Sequence, residues 1–203
     1  QPAIFVHSVV AYELWKAQTG AEVSAAAGLS SGEWAALYAA DVVDFEDAIR
    51  ILQARGTFMQ AACDEQEGGM VSIIGLADDK ILAICDKVGI QVANYNSPGQ
   101  TVVSGLASGT AEVPAMAKEA GAKLAIPLTV AGAFHSRLMQ SGEDQFAAFL
   151  KGVKLREPKF PVASNVTGEL HSSASGIADL MARQITSSVQ WVKDVQALQT
   201  IGV

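Results

Sequence analysis

Residues 67–127 limit the possible folds of this chain more than any other segment, because strand-like and helix-like patterns alternate there in a fixed order. The strand-like segments are GGMVSIIGL, IQVANYN, TVVSGL and KLAIPL. The helix-like segments are DDKILAICDKVG and TAEVPAMAKEAG, the second of which has to accommodate Pro114. The order β-α-β-β-α-β, with the turn SPGQ between the middle strands, is that of the ferredoxin-like motif. We therefore predict a ferredoxin-like subdomain over residues 67–127.

The segments on either side have a different pattern, with longer helices and fewer strands. AIFVHSVVAYELWKA has apolar residues at helical spacing, AEVSAAAG predicts a short buried strand, and SGEWAALYAA predicts a helix. A longer helix follows the N-cap candidate Asp44. Beyond residue 127 come a helix HSRLMQSGEDQFAAFLKGV, a strand FPVASN and a helical region IADLMARQITSSVQWVKDVQAL. Residues 1–66 and 128–203 therefore predict one discontinuous α/β domain that carries the small unit as an insertion.

Composition argues against several classes of function. The 203 residues include 14 lysines and arginines against 21 aspartates and glutamates, and the net charge of −7 does not favour a nucleic-acid partner. Cys63 and Cys85 have neither C-x-x-C spacing nor nearby histidines, so we expect buried thiols and no metal site. No apolar stretch is long enough to span a bilayer and no signal peptide opens the sequence, so we expect a soluble protein of a reducing compartment with no membrane partner.

A serine between two glycines, in GLSSG at residues 28–32, is the first candidate for a chemical role. It matches G-x-S-x-G, in which glycines permit a sharp strand-to-helix turn and the serine hydroxyl projects at the helix N-terminus. The backbone N–H of Ser31 would then be free to bind an oxyanion, because first-turn amides lack intrahelical partners. From this pattern alone, Ser30 is either a nucleophile or one residue of a Gly/Ser loop.

Arg55 is the second candidate, because a helical projection places it inside an apolar arc. The arc is formed by Ala48, Ile51, Leu52, Phe58, Met59 and Ala62. A guanidinium at such a position needs a partner, and its planar fork suits a carboxylate. That carboxylate belongs either to an internal salt bridge or to a substrate, and snorkelling past the core is a third possibility.

The three histidines are the candidates for the general base that a serine nucleophile requires. His7 lies in the first predicted helix, and His171 lies in the polar segment TGELHSSASG, where a solvated side chain is expected. His135, in VAGAFHSRLM, follows a strand-like segment and a turn of small residues, where catalytic groups of α/β proteins gather. Position therefore favours His135.

Five motifs taken together resemble the malonyl-CoA:acyl carrier protein transacylase family. GLSSGEWAAL, QARGTFMQ, NYNSPGQ, GAFHSRLM and RQITSSVQW occur in the order and spacing of that family, and the resemblance covers essentially the whole chain. It implies an α/β-hydrolase-like large subdomain with the ferredoxin-like subdomain inserted. It also implies transfer of a malonyl group from malonyl-CoA to acyl carrier protein, in fatty acid or polyketide synthesis. We expect no bound cofactor, a monomer, and a cytoplasmic location, or an organellar stroma or matrix in a eukaryote.

The resemblance implies a role for each matching residue. Ser30 corresponds to the acylated nucleophile and His135 to its general base. Arg55 corresponds to the arginine that binds the malonyl carboxylate, and Ser31 to a backbone oxyanion donor. Gln184 corresponds to the glutamine whose main-chain carbonyl orients the histidine in place of a triad acid.

The sequence also departs from the family pattern. Many relatives have histidine at the position of Leu29, leucine at that of Ser31 and proline at that of Ser188. Family members begin with a strand and a Gly-rich loop that holds a glutamine donating to the oxyanion, and residues 1–203 contain no counterpart. The resemblance therefore implies either a fragment or an incompletely recorded sequence. Two alternatives remain open: a serine hydrolase or thioesterase on the same fold, and a non-catalytic module that docks a carrier protein.

A carrier protein is generally acidic, so docking calls for a local basic surface on this acidic chain. The segment KGVKLREPKF supplies Lys151, Lys154, Arg156 and Lys159. A solvated surface is the more common role of such a segment, and the sequence does not assign a docking face.

Overall fold

The computed structural model covers all 203 residues. Eight α-helices are present: α1 Pro2–Thr19, α2 Gly32–Ala39, α3 Phe45–Glu65, α4 Asp78–Val88, α5 Ala107–Glu119, α6 Gln140–Leu150, α7 Ala174–Arg183 and α8 Trp191–Thr200. Six strands are present: β1 Gly68–Ile74, β2 Gln91–Ser97, β3 Gln100–Leu106, β4 Leu124–Pro127, β5 Ala163–Ser164 and β6 Glu169–Leu170. A short 3₁₀ helix spans Arg137–Met139. None of the helices combines the length and the apolar character that crossing a membrane requires.

Strands β1 to β4 form one antiparallel sheet in the order β2-β3-β1-β4, the strand order of the ferredoxin-like motif. Alternation along β1 sends Val71 and Ile73 to one face, where they pack with residues of α4 and α5 in a small core. The opposite face carries Met70, which packs with Ala93 and Val102. That second face packs against the large unit, and through Met70 it forms one wall of the site described below.

The larger core lies among helices α1, α2, α3, α6 and α7. Its 22 buried residues include Trp34 of α2, Leu52 of α3 and Phe146 of α6. The Trp34 and Phe146 rings pack edge to face with centroids 6.3 Å apart. This contact joins α2 to α6, and α2 also packs against α3 in the same core. The packing of α2 on α3 brings residues near position 30 beside those near position 55. The chain has the α/β fold with an inserted small sheet that the sequence predicted.

One local prediction is wrong. In AEVSAAAG only Ala26 has a strand partner, through a parallel bridge to Val162, because no second strand lies beside the flanking residues. The closing helical region predicted from the sequence consists of two helices, α7 and α8, and residues between them run along β2. Val189 N–H donates to the Ala93 carbonyl at 2.8 Å, and Tyr95 N–H donates to the Val189 carbonyl at 2.9 Å.

These two hydrogen bonds join the small sheet to the large unit beside the candidate site. Ser188 adds a third link, because its hydroxyl donates to the Val92 carbonyl at 2.6 Å. All elements of the small sheet unit fall between residues 68 and 127, inside the range that the sequence suggested. Its boundaries as an independent subdomain, and those of residues 1–66 and 128–203, stay a prediction.

Candidate active site

The GLSSG segment forms a tight turn into α2, with Ser30 at its apex. Ser30 has a φ of +53°, a left-handed conformation that non-glycine residues rarely adopt. Gly28 is the sterically critical glycine, because a Cβ atom there would lie 2.0 Å from the carbonyl oxygen of Gly32. A Cβ on Gly32 would meet no atom within 4 Å. The close approach in this turn therefore depends on the first glycine of the pattern and not on the second.

His135 lies within hydrogen-bond distance of Ser30. The Ser30 Oγ atom is 2.9 Å from His135 Nε2, and His135 Nδ1 is 2.9 Å from the main-chain oxygen of Gln184. A carbonyl oxygen only accepts, so Nδ1 carries the proton and Nε2 is left to accept the hydroxyl proton of Ser30. The three groups thus have the geometry of a nucleophile, a base and a group that orients the base.

The environment keeps His135 neutral. Burial, together with the nearby Arg55 cation, lowers the pKa of His135 to about 4, although the hydrogen bond to the Gln184 carbonyl opposes both. The imidazole is therefore in its basic form at neutral pH, as a group that accepts a proton must be.

Arg55 is buried in α3 with 1% of its surface exposed, although none of its contacts is a carboxylate. Its Nη1 atom donates to Gln1 Oε1 at 2.6 Å, and its Nη2 atom donates to Gln184 Oε1 at 2.9 Å and to Ser30 Oγ at 3.2 Å. Its Nε atom has no partner. Burial lowers the pKa of Arg55 to about 10, partly offset by the Glu33 charge. Arg55 is thus charged at neutral pH, and the internal salt bridge that the sequence left open does not form.

Glu33 links several groups below the turn, and it was not among the residues predicted from the sequence. His171 Nε2 lies 2.7 Å from Glu33 Oε1, and Gln184 Nε2 donates to Glu33 Oε2 at 2.7 Å. The expectation of a solvated His171 is wrong: its main-chain N–H donates to the Val162 carbonyl and its ring lies in the interior. A signal for Glu33 was present, because Ala36, Leu37 and Ala40 continue its row at i+3, i+4 and i+7 and all are buried.

A small cavity of about 230 Å³ is lined by Ser30, Arg55 and His135. Ser31 lies on its wall, and its main-chain N–H makes no hydrogen bond within the protein. Gln1 and Asn94 contribute polar side chains to the wall that the sequence analysis did not select. The full lining is Gln1, Ser30, Ser31, Arg55, Met59, Met70, Asn94, Phe134 and His135.

The remaining candidates lie away from this cavity. His7 is exposed on α1, and Leu29 is exposed beside the turn. Cys63 and Cys85 are free thiols in the interior, and no group of three or more histidine, cysteine, aspartate or glutamate side chains could hold a metal ion. In the basic segment, Arg156 forms ion pairs with Asp41 and Asp44, and Lys159 with Asp41, while Lys151 and Lys154 are exposed. No docking face is evident from that segment.

Comparison with known proteins places this geometry in a family. The model of the acyl transferase domain family matches residues 1–201. Malonyl CoA-acyl carrier protein transacylase of Escherichia coli K12 is 38% identical over 207 residues, which cover 100% of this chain and 67% of the relative. The Bacillus subtilis transacylase is 36% identical over 208 residues, with 100% and 65% coverage.

Solved structures agree with these relatives. A malonyl-transacylase bound to its type II polyketide synthase acyl-carrier protein has a TM-score of 0.96 and 37% identity, over 100% of this chain and 67% of that one. The malonyl CoA-acyl carrier protein transacylase of Coxiella burnetii has a TM-score of 0.96 and 35% identity, over 100% and 66% of the two chains. The chain described above thus spans about two thirds of the length of its relatives.

Proposed function

Since this chain belongs to the acyl transferase domain family, we propose that it transfers a malonyl group from malonyl-CoA to the phosphopantetheine thiol of an acyl carrier protein. The transfer passes through a malonyl ester on Ser30 and supplies malonyl units for fatty acid or polyketide synthesis. We further propose that the protein works as a monomer in the cytoplasm, or in an organellar stroma or matrix in a eukaryote. No metal or organic cofactor takes part in the proposed chemistry.

The observation that carries this proposal is that the buried Arg55 cation has no anionic partner and lines the same cavity as the Ser30 hydroxyl. The Nη2 atom lies 3.2 Å from Ser30 Oγ, close enough for one small acyl group to contact both. A malonyl group ends in a carboxylate two carbons from its thioester carbonyl, and a guanidinium binds a carboxylate with two parallel hydrogen bonds. A neutral acyl chain would leave the buried charge without a counterion. Arg55 thus favours an acyl group that carries a carboxylate.

The proposed reaction has two equivalent halves. His135 Nε2 accepts the Ser30 proton while Oγ attacks the thioester carbon, and the Ser31 N–H stabilises the resulting oxyanion. The C–S bond then breaks, and His135 returns the proton to the sulfur of the departing coenzyme A. The phosphopantetheine thiol next gives its proton to His135 and attacks the ester carbon. The C–O bond breaks, and Ser30 regains its hydroxyl proton.

Binding of the acyl group also changes the base. In the empty site the Arg55 charge contributes to the low pKa of His135. A malonyl carboxylate paired with Arg55 cancels much of that charge, so the pKa of His135 rises when the correct acyl group binds. The carboxylate therefore strengthens the base that activates Ser30, which adds selectivity to the direct contact.

Acylation of intact protein tests the proposal. We expect malonyl-CoA to add one malonyl mass to the wild-type protein and none to Ser30→Ala. Charged hydrogen bonds contribute about 1.5–3 kcal/mol each, so Arg55→Ala should slow malonylation by at least about 10- to 100-fold. Acetylation from acetyl-CoA should fall much less. Arg50→Ala is the matched control, because Arg50 is exposed on the same helix.

Three outcomes would contradict this assignment. Equal loss of malonylation and acetylation in Arg55→Ala would reject the role of Arg55 in carboxylate binding. Release of free malonate in place of malonyl-carrier protein would indicate a hydrolase. A wild-type protein that folds, binds carrier protein and gains no malonyl mass would indicate a docking module.

A further inference from the structure

Asn165 holds the Ser30 turn from both sides, although it is 135 residues away in sequence. Its Oδ1 atom accepts a hydrogen bond from the Ser30 N–H at 2.6 Å, and its Nδ2 atom donates to the Gly28 carbonyl at 2.9 Å. Asn165 follows β5 and is fully buried. One amide side chain thus spans the segment whose central residue carries the nucleophile.

This contact matters because the Ser30 backbone does not hold its conformation unaided. A non-glycine residue at a φ of +53° is strained and persists only where its surroundings enforce it. The Ser30 N–H and the Gly28 carbonyl both precede α2, so the helix supplies neither with a partner. Without Asn165 the two groups would be unpaired in a partly buried turn, and the turn would be free to relax.

Asn165 is itself fixed by two buried carboxylates. Its main-chain N–H donates to Glu33 Oε2 at 3.1 Å, and its Nδ2 atom donates to Asp194 Oδ2 at 2.8 Å. The two Nδ2 protons are therefore shared between Gly28 and Asp194, which sets the orientation of the amide. Asp194 has no cation beside it, and its Oδ1 atom has no hydrogen-bond partner.

We infer that Asn165 is a positioning residue for the Ser30 nucleophile and that Asp194 orients its amide. This inference rests on the proposed function, because Ser30 has to be the acylated residue. Asn165 acts through the backbone of the turn and not through the acyl group. Its loss should therefore slow acylation by any acyl-CoA equally, whereas loss of Arg55 affects malonylation selectively.

Single-turnover acylation tests the inference, with the Ser30 adduct followed by intact mass. We expect Asn165→Ala to lower the limiting acylation rate about 10- to 100-fold for both malonyl-CoA and acetyl-CoA, with half-saturation concentrations near those of the wild type. Ser164→Ala is the matched control, because the Ser164 hydroxyl is equally buried, adjacent in sequence and without a partner. Its rate should stay within about twofold of the wild-type rate.

Asp194 provides a second test that does not depend on the folding of Asn165→Ala. Asp194→Asn keeps an oxygen that can accept from Asn165 Nδ2, whereas Asp194→Ala removes it. We expect a several-fold loss of acylation rate in Asp194→Ala that is restored in Asp194→Asn.

The inference is overturned if folded Asn165→Ala matches Ser164→Ala, or if the two Asp194 variants have the same rate. A raised half-saturation concentration with an unchanged limiting rate in Asn165→Ala would also overturn it. If the wild-type protein gains no malonyl mass, the proposed function itself fails.

Discussion

Replacement of Gly28 by alanine should disable the nucleophile turn, whereas the same replacement at Gly32 should not. The new Cβ atom at position 28 would lie 2.1 Å from the carbonyl carbon of Gly32, and normal contact between carbon atoms is about 3.5 Å. Relief of this overlap requires a backbone shift of more than about 1 Å next to Ser30. Overpacking of that kind costs about 1–3 kcal/mol, and such a displacement of a reacting group reduces rates about 100-fold.

Gly32→Ala is the matched control for this prediction. A Cβ atom there meets nothing within 4 Å, and alanine is favoured over glycine in a helix by up to about 1 kcal/mol. We expect Gly28→Ala to lower both the rate of Ser30 acylation and the unfolding temperature, and Gly32→Ala to keep both near or above wild type. A Gly28→Ala variant with the acylation rate and unfolding temperature of Gly32→Ala would refute the steric argument, because the predicted overlap at position 28 would then cost nothing.

Two further predictions concern pH. First, kcat/KM for acylation should fall only as pH drops toward about 4, where His135 becomes protonated. In Arg55→Ala this acid limb of the pH profile should move to higher pH, because a charge that lowers the His135 pKa is gone. An unmoved acid limb, measured with acetyl-CoA as substrate, would contradict the electrostatic coupling of Arg55 to His135. Second, burial raises the pKa of Asp194 to about 7, with a smaller contribution from the Glu33 charge. Between about pH 4 and 7 the native state therefore retains a proton that the unfolded state loses, and the free energy of unfolding falls as pH rises through this range. Asp194→Asn should therefore gain stability over wild type by at most about 1.4 kcal/mol per pH unit across that range. Urea unfolding at about pH 5, 7 and 8 measures this gain. A difference in unfolding free energy between variant and wild type that does not change with pH would exclude this titration.

The small sheet was predictable because its signals are local. Alternation in β1 sends Val71 and Ile73 to the helix-covered face, and this pattern needs no knowledge of the rest of the chain. The strand prediction for AEVSAAAG failed because its signal is not local. A strand exists only where a partner lies beside it, and the one partner of Ala26, Val162, is distant in sequence.

The residues of the candidate site likewise divide into those with a local sequence signal and those without one. Arg55 was evident because a charged residue interrupts an apolar helical row, and the same reasoning would have found Glu33 in α2. Asn165 was not evident, since an asparagine after a short strand is usual in a loop. The Gln184 carbonyl is a main-chain group that any residue could supply, so only the family resemblance suggested it.

The hydrogen bonds of Gln184 favour the proposed binding of a substrate carboxylate. Its side-chain amide donates to Glu33 at 2.7 Å and accepts from Arg55 at 2.9 Å, and it therefore lies between the buried anion and the buried cation. A direct ion pair would neutralise Arg55, and the proposed substrate carboxylate would then find no unpaired positive charge. The intervening amide preserves a favourable field from Glu33 while the guanidinium keeps its full charge and an unpartnered Nε atom. A glutamate at position 184 would lose the hydrogen bond to Glu33, but it would place a negative charge beside the Arg55 guanidinium. We therefore expect Gln184→Glu to reduce malonylation far more than acetylation.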